Sequence, residues 1–203
     1  MKEARVKTEN AAEGVVPRAR AFSAIGLVYG VIFFSFLDLF SQLPIMSTFA
    51  QSMGATLTLI GLIVGMYSFA NTGGNLIAGV LTDRWGAFGV LVAGLAGTTV
   101  LLACYSLVGS PYALLALRFF HGLISGLIVP AAFTYIANEN KQTGGGRSSA
   151  STGALIGSAA IIGPAFGGIT AAYSSPSAVF LSVAGFGAVL CAGVLVALRR
   201  RGT

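Results

Sequence analysis

Charge is what this chain has least of. Of its 203 residues, 9% are Asp, Glu, Lys or Arg, against about 25% in a soluble domain. Too few polar groups exist to cover a surface that faces water. Histidine occurs once and cysteine twice. Cys104 and Cys191 fall in separate apolar runs without CxxC spacing, as expected of two small core thiols rather than a disulfide or a metal pair. One histidine and two distant cysteines do not make a metal site, so neither metal nor cofactor is expected. The patterns G-xxxx-GK[ST], HExxH and G-x-S-x-G are missing, and no enzymatic activity is expected. Basic residues are also missing from every second connection: the stretches near 50–56, 109–111 and 174–176 contain no Lys or Arg.

What the chain does have is apolar length and glycine. It is 55% hydrophobic with 28 glycines. That supports several helical spans of about 20 residues each, and glycine lets membrane helices approach closely. The runs are continuously apolar rather than alternating, and helices satisfy their own backbone in lipid, so an all-α membrane protein is expected rather than a barrel. Spans are expected at about 22–47, 57–81, 88–109, 112–137, 149–173 and 177–198. Pro44 and Gly54, Asp83-Arg84, Gly109-Ser110-Pro111, the polar stretch Glu139 to Arg147, and Ser174-Ser175-Pro176 mark the breaks. Residues 1–21 read as a flexible tail, 22–198 as the membrane domain and 199–203 as a basic C-terminus. The run from Ala21 is too long for a signal-peptide core and is expected to stay as the first helix.

The net charge of +6 is placed by topology rather than by a nucleic-acid partner, and none is expected. Lys2, Arg5, Lys7, Arg18 and Arg20 precede the first span, Arg199, Arg200 and Arg201 follow the last, and Arg84, Lys141 and Arg147 occupy the second and fourth connections. Basic residues stay on the cytoplasmic side, so both termini are expected in the cytoplasm and the protein in the cell's inner membrane. Six spans return the chain to its starting side. G-xxx-G pairs recur at Gly61/Gly65, Gly122/Gly126, Gly153/Gly157 and Gly163/Gly167, as close helix packing requires.

Three ionisable residues fall inside spans: Asp38, Arg118 and His121. Such residues cost at least about 2.5 kcal/mol in lipid and usually face a cavity or a partner. Asp38 and Arg118 come to similar depth in the outer half, about 5 Å apart at 1.5 Å per residue. At helical spacing around Asp38 lie Ser35, Ser41 and Gln42; around Arg118 lie His121, Gly122 and Ser125; and the second span carries Tyr67, Asn71 and Asn75 on one face. Three polar stripes imply a shared wet cavity. Asp38 with Arg118 is either a plain ion pair that fixes packing or a proton-coupling carboxylate governed by its neighbour. His121 is either a hydrogen-bonded core residue or a proton relay. The aromatics Tyr29, Phe33, Phe34, Phe36 and Phe40 are either lipid-facing and packing groups or the lining of a substrate pocket.

Three further patterns lie in order along the chain. Gly79-Val-Leu-Thr-Asp83-Arg84-Trp-Gly86 resembles the loop between the second and third helices of the major facilitator superfamily, although Ala87 and Phe88 stand where basic residues are usual. Arg118-Phe-Phe-His121-Gly122-xxx-Gly126 resembles that family's fourth-helix pattern, and Gly163-Pro164-Ala-Phe-Gly167-Gly168 its fifth-helix antiporter motif, with Gly157 out of register and Ala159 at a Gly position. Asp38 is similar to the membrane carboxylate of its drug/proton antiporters. The resemblance implies a six-helix half, itself a 3+3 inverted repeat, of a secondary transporter that exports a small hydrophobic or cationic compound against protons. Members have two such halves related by an axis along the membrane normal. Two parallel copies of this chain are therefore expected to form a homodimer through the second and fifth helices. The alternative is a truncated or split half that needs another half as partner.

Overall fold

The computed structural model describes residues 18–143 and 148–199, and within them every long element is helical. The expected tail up to residue 17, Arg147, Arg200 and Arg201 lie outside the described residues. Helix α1 covers Arg18–Gln42, the short α2 Met46–Ser52, α3 Leu57–Cys104 with a 3-10 turn at Tyr105–Leu107, α4 Pro111–Ser125, α5 Ile128–Thr143, α6 Ser148–Tyr173 and α7 Pro176–Arg199. Among the described residues, five apolar segments are long enough to cross a bilayer: Ile25–Gln42, Leu57–Leu107, Pro111–Glu139, Ala150–Tyr173 and Pro176–Ala197.

Capping chemistry sets several starts. The Thr56 hydroxyl accepts from the Leu59 N–H, Ser110 from Ala113, and Ser175 from Ala178, and Pro111 and Pro176 open the helices that follow the last two. The first run differs from the single span expected to residue 47. It stops at Gln42, turns through residues 43–45, and resumes as α2. Pro44 lacks an N–H and restricts the residue before it, so α1 cannot propagate through it. The fourth run, expected as one span, has a hydrogen-bond step at Gly126–Leu127, where the Leu127 N–H bonds the Ile124 carbonyl.

The segment Leu57–Leu107 is 51 residues long, over twice the roughly 20 residues one crossing needs. It is not straight. Gly86 has φ 76° and ψ 152°, a region open essentially to glycine alone. On one side of it, Arg118 of α4 reaches the Ile63 carbonyl, Gly122 abuts Tyr67, and Gly126 abuts Asn71 and Gly74. That arm therefore runs parallel to α4. On the other side, Gly97 faces Ile124, and Gly94 faces Leu127 and Ile128, so this arm runs antiparallel to α4. The chain doubles back at Gly86.

Helix α1 lies at the centre. Its Val28, Val31, Ile32 and Phe34 are buried together with Leu91, Leu95 and Leu102 of the second α3 arm, Ile128 and Ala131 of α5, and Val179, Phe180 and Val183 of α7. Phe34 meets Phe186 edge-on, with centroids 5.9 Å apart. The outside is as apolar as the inside: Leu76 is 75% exposed and Ile161 78%. A water-facing domain does not show so much apolar surface.

Candidate functional site

The site grows from two helix faces. On α1, Asp38 and Gln42 are one turn apart; on α4, Arg118, His121 and Ser125 share a face at i, i+3 and i+7. α1 and α4 point these faces at each other, and Asp38, Gln42, Arg118, His121 and Ser125 are all buried. Gln42 donates through Nε2 to Asp38 Oδ1. Arg118 Nη1 donates to Gln42 Oε1 at 2.6 Å, and its Nε and Nη2 donate to the Ile63 and Val64 carbonyls at 3.2 and 3.4 Å. The remaining carboxylate oxygen of Asp38, Oδ2, faces His121 Nε2 at 3.2 Å.

The direct Asp38–Arg118 pair expected from depth is thus replaced. Among the described residues, His121 is the group within ion-pair distance of Asp38, and Arg118 reaches the carboxylate through the Gln42 amide. The side chain one turn beyond Asp38 fills the gap that depth matching cannot see. Arg118 is further held over the Tyr67 ring, 4.7 Å from its centroid, a favourable cation–π geometry. Tyr67 donates or accepts at Ser125 Oγ, 2.8 Å away.

Gln42, Tyr67 and Ser125 are legible in the sequence only as polar neighbours of the candidate residues, and Tyr105 not even as that. The Tyr105 hydroxyl lies 3.1 Å from His121 Nδ1, and its ring stacks on Phe180 at 4.2 Å. Tyr105 sits where a span was expected to end, and nothing in its local sequence distinguishes it from an interfacial aromatic.

Beside the cluster opens a cavity of about 210 Å³ lined by Ser35, Phe36, Leu39, Tyr67, Asn71, Asn75, Ser125 and Val129. Asn71 donates to the Gly122 carbonyl at 3.3 Å, and Asn75 to Asn71 Oδ1 at 3.2 Å. Of the first-helix aromatics, Phe36 borders this cavity and stacks on Phe40, whereas Phe34 is core.

The remaining motif residues lie elsewhere. Asp83, Arg84 and Gly86 are exposed at the turn of α3, about 24 Å along the helix from Tyr67 at 1.5 Å per residue. A Cβ on Gly79 of the same arm would meet no neighbouring element within 4 Å. In α6, Gly163 and Gly167 press against Phe40 and Ser41, and a Cβ on Gly167 would overlap the Ser41 carbonyl. This crossing lies within one turn of Asp38. Pro164 lies inside the same helix, and Gly168 faces open space. No cluster of three His, Cys, Asp or Glu side chains able to hold a metal occurs among the described residues.

Residues 28–203 match the model of the Major Facilitator Superfamily. The chain belongs to that superfamily. Its membrane helices and family make it a multi-pass membrane protein. It is 35% identical over 128 residues to an uncharacterised MFS-type transporter of Methanocaldococcus jannaschii, covering 63% of this chain and 33% of that protein. It is 30% identical over 169 residues to the uncharacterised MFS-type transporter YttB of Bacillus subtilis, covering 82% of this chain and 41% of that one. The quinolone resistance protein NorA of Staphylococcus aureus is 26% identical over 151 residues, 74% of this chain and 39% of NorA. The chain therefore spans less than half the length of the curated superfamily relatives it matches.

Proposed function

We propose that the chain is a six-helix half of a proton-coupled efflux transporter, in which Asp38 takes up the proton. The observation that carries this reading is the buried cluster of Asp38, Gln42, Arg118 and His121, which ties α1 to α4 beside the cavity. Burying a carboxylate in a membrane domain is costly unless its charge is used or compensated. Uptake of a proton from the outer side removes the negative charge that holds the Gln42 amide and faces His121. The α1–α4 link weakens, and the equilibrium between outward- and inward-open states shifts by the difference in that contact. Arg118, through the Ile63 and Val64 carbonyls, keeps the contact between α4 and the first arm of α3 intact meanwhile. Asn71 and Asn75 supply hydrogen bonds, and Phe36 an apolar wall, for a small hydrophobic or cationic compound. Two relatives fit export of such compounds: NorA, named for quinolone resistance, and a probable actinorhodin transporter of Streptomyces coelicolor.

In this reading both termini are cytoplasmic in the inner membrane, and the reversal at Gly86 makes six crossings of the five apolar segments. The second half is a parallel second copy. Of the four G-xxx-G pairs, Gly122/Gly126 and Gly163/Gly167 are packed inside the chain, whereas a Cβ on Gly61, Gly65, Gly153 or Gly157 would meet nothing within 4 Å among the described residues. The two free pairs lie on α3's first arm and on α6, the second and fifth crossings. A second reading, favoured by the greater length of the relatives, is that a different half completes the transporter.

The test uses the full chain in proteoliposomes with an imposed pH gradient. Proton-driven efflux of a quinolone-type probe is expected in the wild type and at least ten-fold lower in Asp38→Asn. Unchanged coupled flux in Asp38→Asn sinks the mechanism. Native mass spectrometry in nanodiscs separates the two readings: a dimer supports the self-complete transporter, and a clean monomer the partnered half.

A further inference from the structure

His121 is the chain's one histidine and is fully buried. Its two nitrogens meet unlike partners: Nδ1 lies 3.1 Å from the Tyr105 hydroxyl and Nε2 3.2 Å from Asp38 Oδ2. Neither Nε2 nor Oδ2 makes a hydrogen bond among the described residues, although buried polar atoms are almost always satisfied. They lie 3.2 Å from each other, and a single proton shared between them would give each a partner. The titratable and charged groups around the ring are Asp38 from α1, Tyr67 from the first arm of α3, edge-on at 5.2 Å, Tyr105 from the 3-10 turn, and Arg118 from α4 itself.

Two arguments select where the proton sits. The first is charge. Arg118 is one positive group and Asp38 one negative, already joined through Gln42. A second cation on His121 would leave a net buried charge, which a low-dielectric site penalises. The second is hydrogen-bond accounting. A hydroxyl both donates and accepts. With His121 neutral and protonated on Nε2, the Tyr105 O–H donates to Nδ1 and Nε2–H faces the carboxylate, so every atom is paired. With a proton on Nδ1, the Tyr105 hydrogen must find another acceptor and Nε2 depends on a protonated Asp38. Stacking on Phe180 at 4.2 Å holds the Tyr105 ring in place.

We propose that Tyr105 is a positioning residue that fixes His121 as a neutral imidazole with its proton on Nε2, directed at Asp38. This rests on the coupling role proposed for Asp38 and sharpens it. His121 is then not a relay. A proton arriving on Asp38 Oδ2 meets an N–H that Tyr105 keeps in place, two donors face each other, and the α1–α4 contact breaks instead of passing the proton on.

A single histidine makes the test direct. The full chain, labelled with 15N-histidine in nanodiscs, gives NMR resonances that need no assignment. At neutral pH the wild type is expected to show one tautomer, with an unprotonated Nδ1 and a protonated Nε2. Tyr105→Phe keeps the ring on Phe180 and removes the hydroxyl; its Nδ1 resonance is expected to shift toward a tautomer mixture or an imidazolium. A wild-type spectrum with the proton on Nδ1, or on both nitrogens, overturns the proposal, as does a Tyr105→Phe spectrum identical to the wild type. If Tyr105→Phe does not fold, the wild-type spectrum alone still decides. Normal efflux by Asp38→Asn would defeat the coupling role without touching this spectrum, so the two failures are distinguishable.

Discussion

At the scale of single residues, the site depends on a neutral side chain more than on its charges. Among the described residues, Gln42 hydrogen-bonds both Asp38 and Arg118, and its amide presents a donor to the carboxylate and an acceptor to the guanidinium. Gln42→Leu keeps most of the volume and removes both bonds. It leaves Asp38 Oδ1 and Arg118 Nη1 buried without that partner, at a cost of about 1–3 kcal/mol or more because both groups are charged. Thermal unfolding in mild detergent is expected to move down accordingly, and an unchanged midpoint would mean that the bridge is not formed. Gln42 was visible in the sequence as a polar neighbour of Asp38. Its bridging role was not, because its partner lies 76 residues away and the rotation of α4 about its axis decides whether Arg118 meets the acid or the amide.

At the scale of elements, glycines divide into those the chain uses itself and those it leaves open. A Cβ on Gly122 would overlap the Tyr67 carbonyl, and one on Gly167 that of Ser41. Backbone cannot yield as a flexible side chain does, so Gly122→Ala and Gly167→Ala are each expected to destabilise the fold by about 1–3 kcal/mol. Gly61→Ala and Gly157→Ala, with nothing within 4 Å, are expected to leave unfolding unchanged, and the four melting curves side by side check the division. Gly86→Ala places a side chain at φ 76°, a conformation costing about 1–3 kcal/mol for other residues. It is expected to lower the melting point although Gly86 is exposed. The turn itself was readable from Asp83-Arg84-Trp-Gly86. The division among the G-xxx-G pairs was not, because all four have the same spacing and only helix placement distinguishes them.

At the scale of the whole molecule, the apolar exterior and the two open glycine pairs set the expectation for assembly. Small residues at a free helix face allow backbones to approach, and packing rather than the hydrophobic effect drives association in lipid. Gly61→Leu with Gly157→Leu fills both free faces without touching the internal crossings. On the proposed dimer reading, the dimer fraction in nanodiscs is expected to fall several-fold, by native mass spectrometry, while the helical content by circular dichroism stays the same. An unaltered dimer fraction would place the interface elsewhere.

The sequence by itself determined that the chain is a helical membrane protein, where its apolar runs lie, and that an acid, a base and a histidine sit inside them. These follow from composition, run length and 3.6-residue spacing, all local properties. Only the tertiary structure decided that Gln42 stands between Asp38 and Arg118 and that Tyr105 holds the far side of His121. Each of these depends on how one helix is rotated and placed against another, and packing across many residues of separation fixes that geometry.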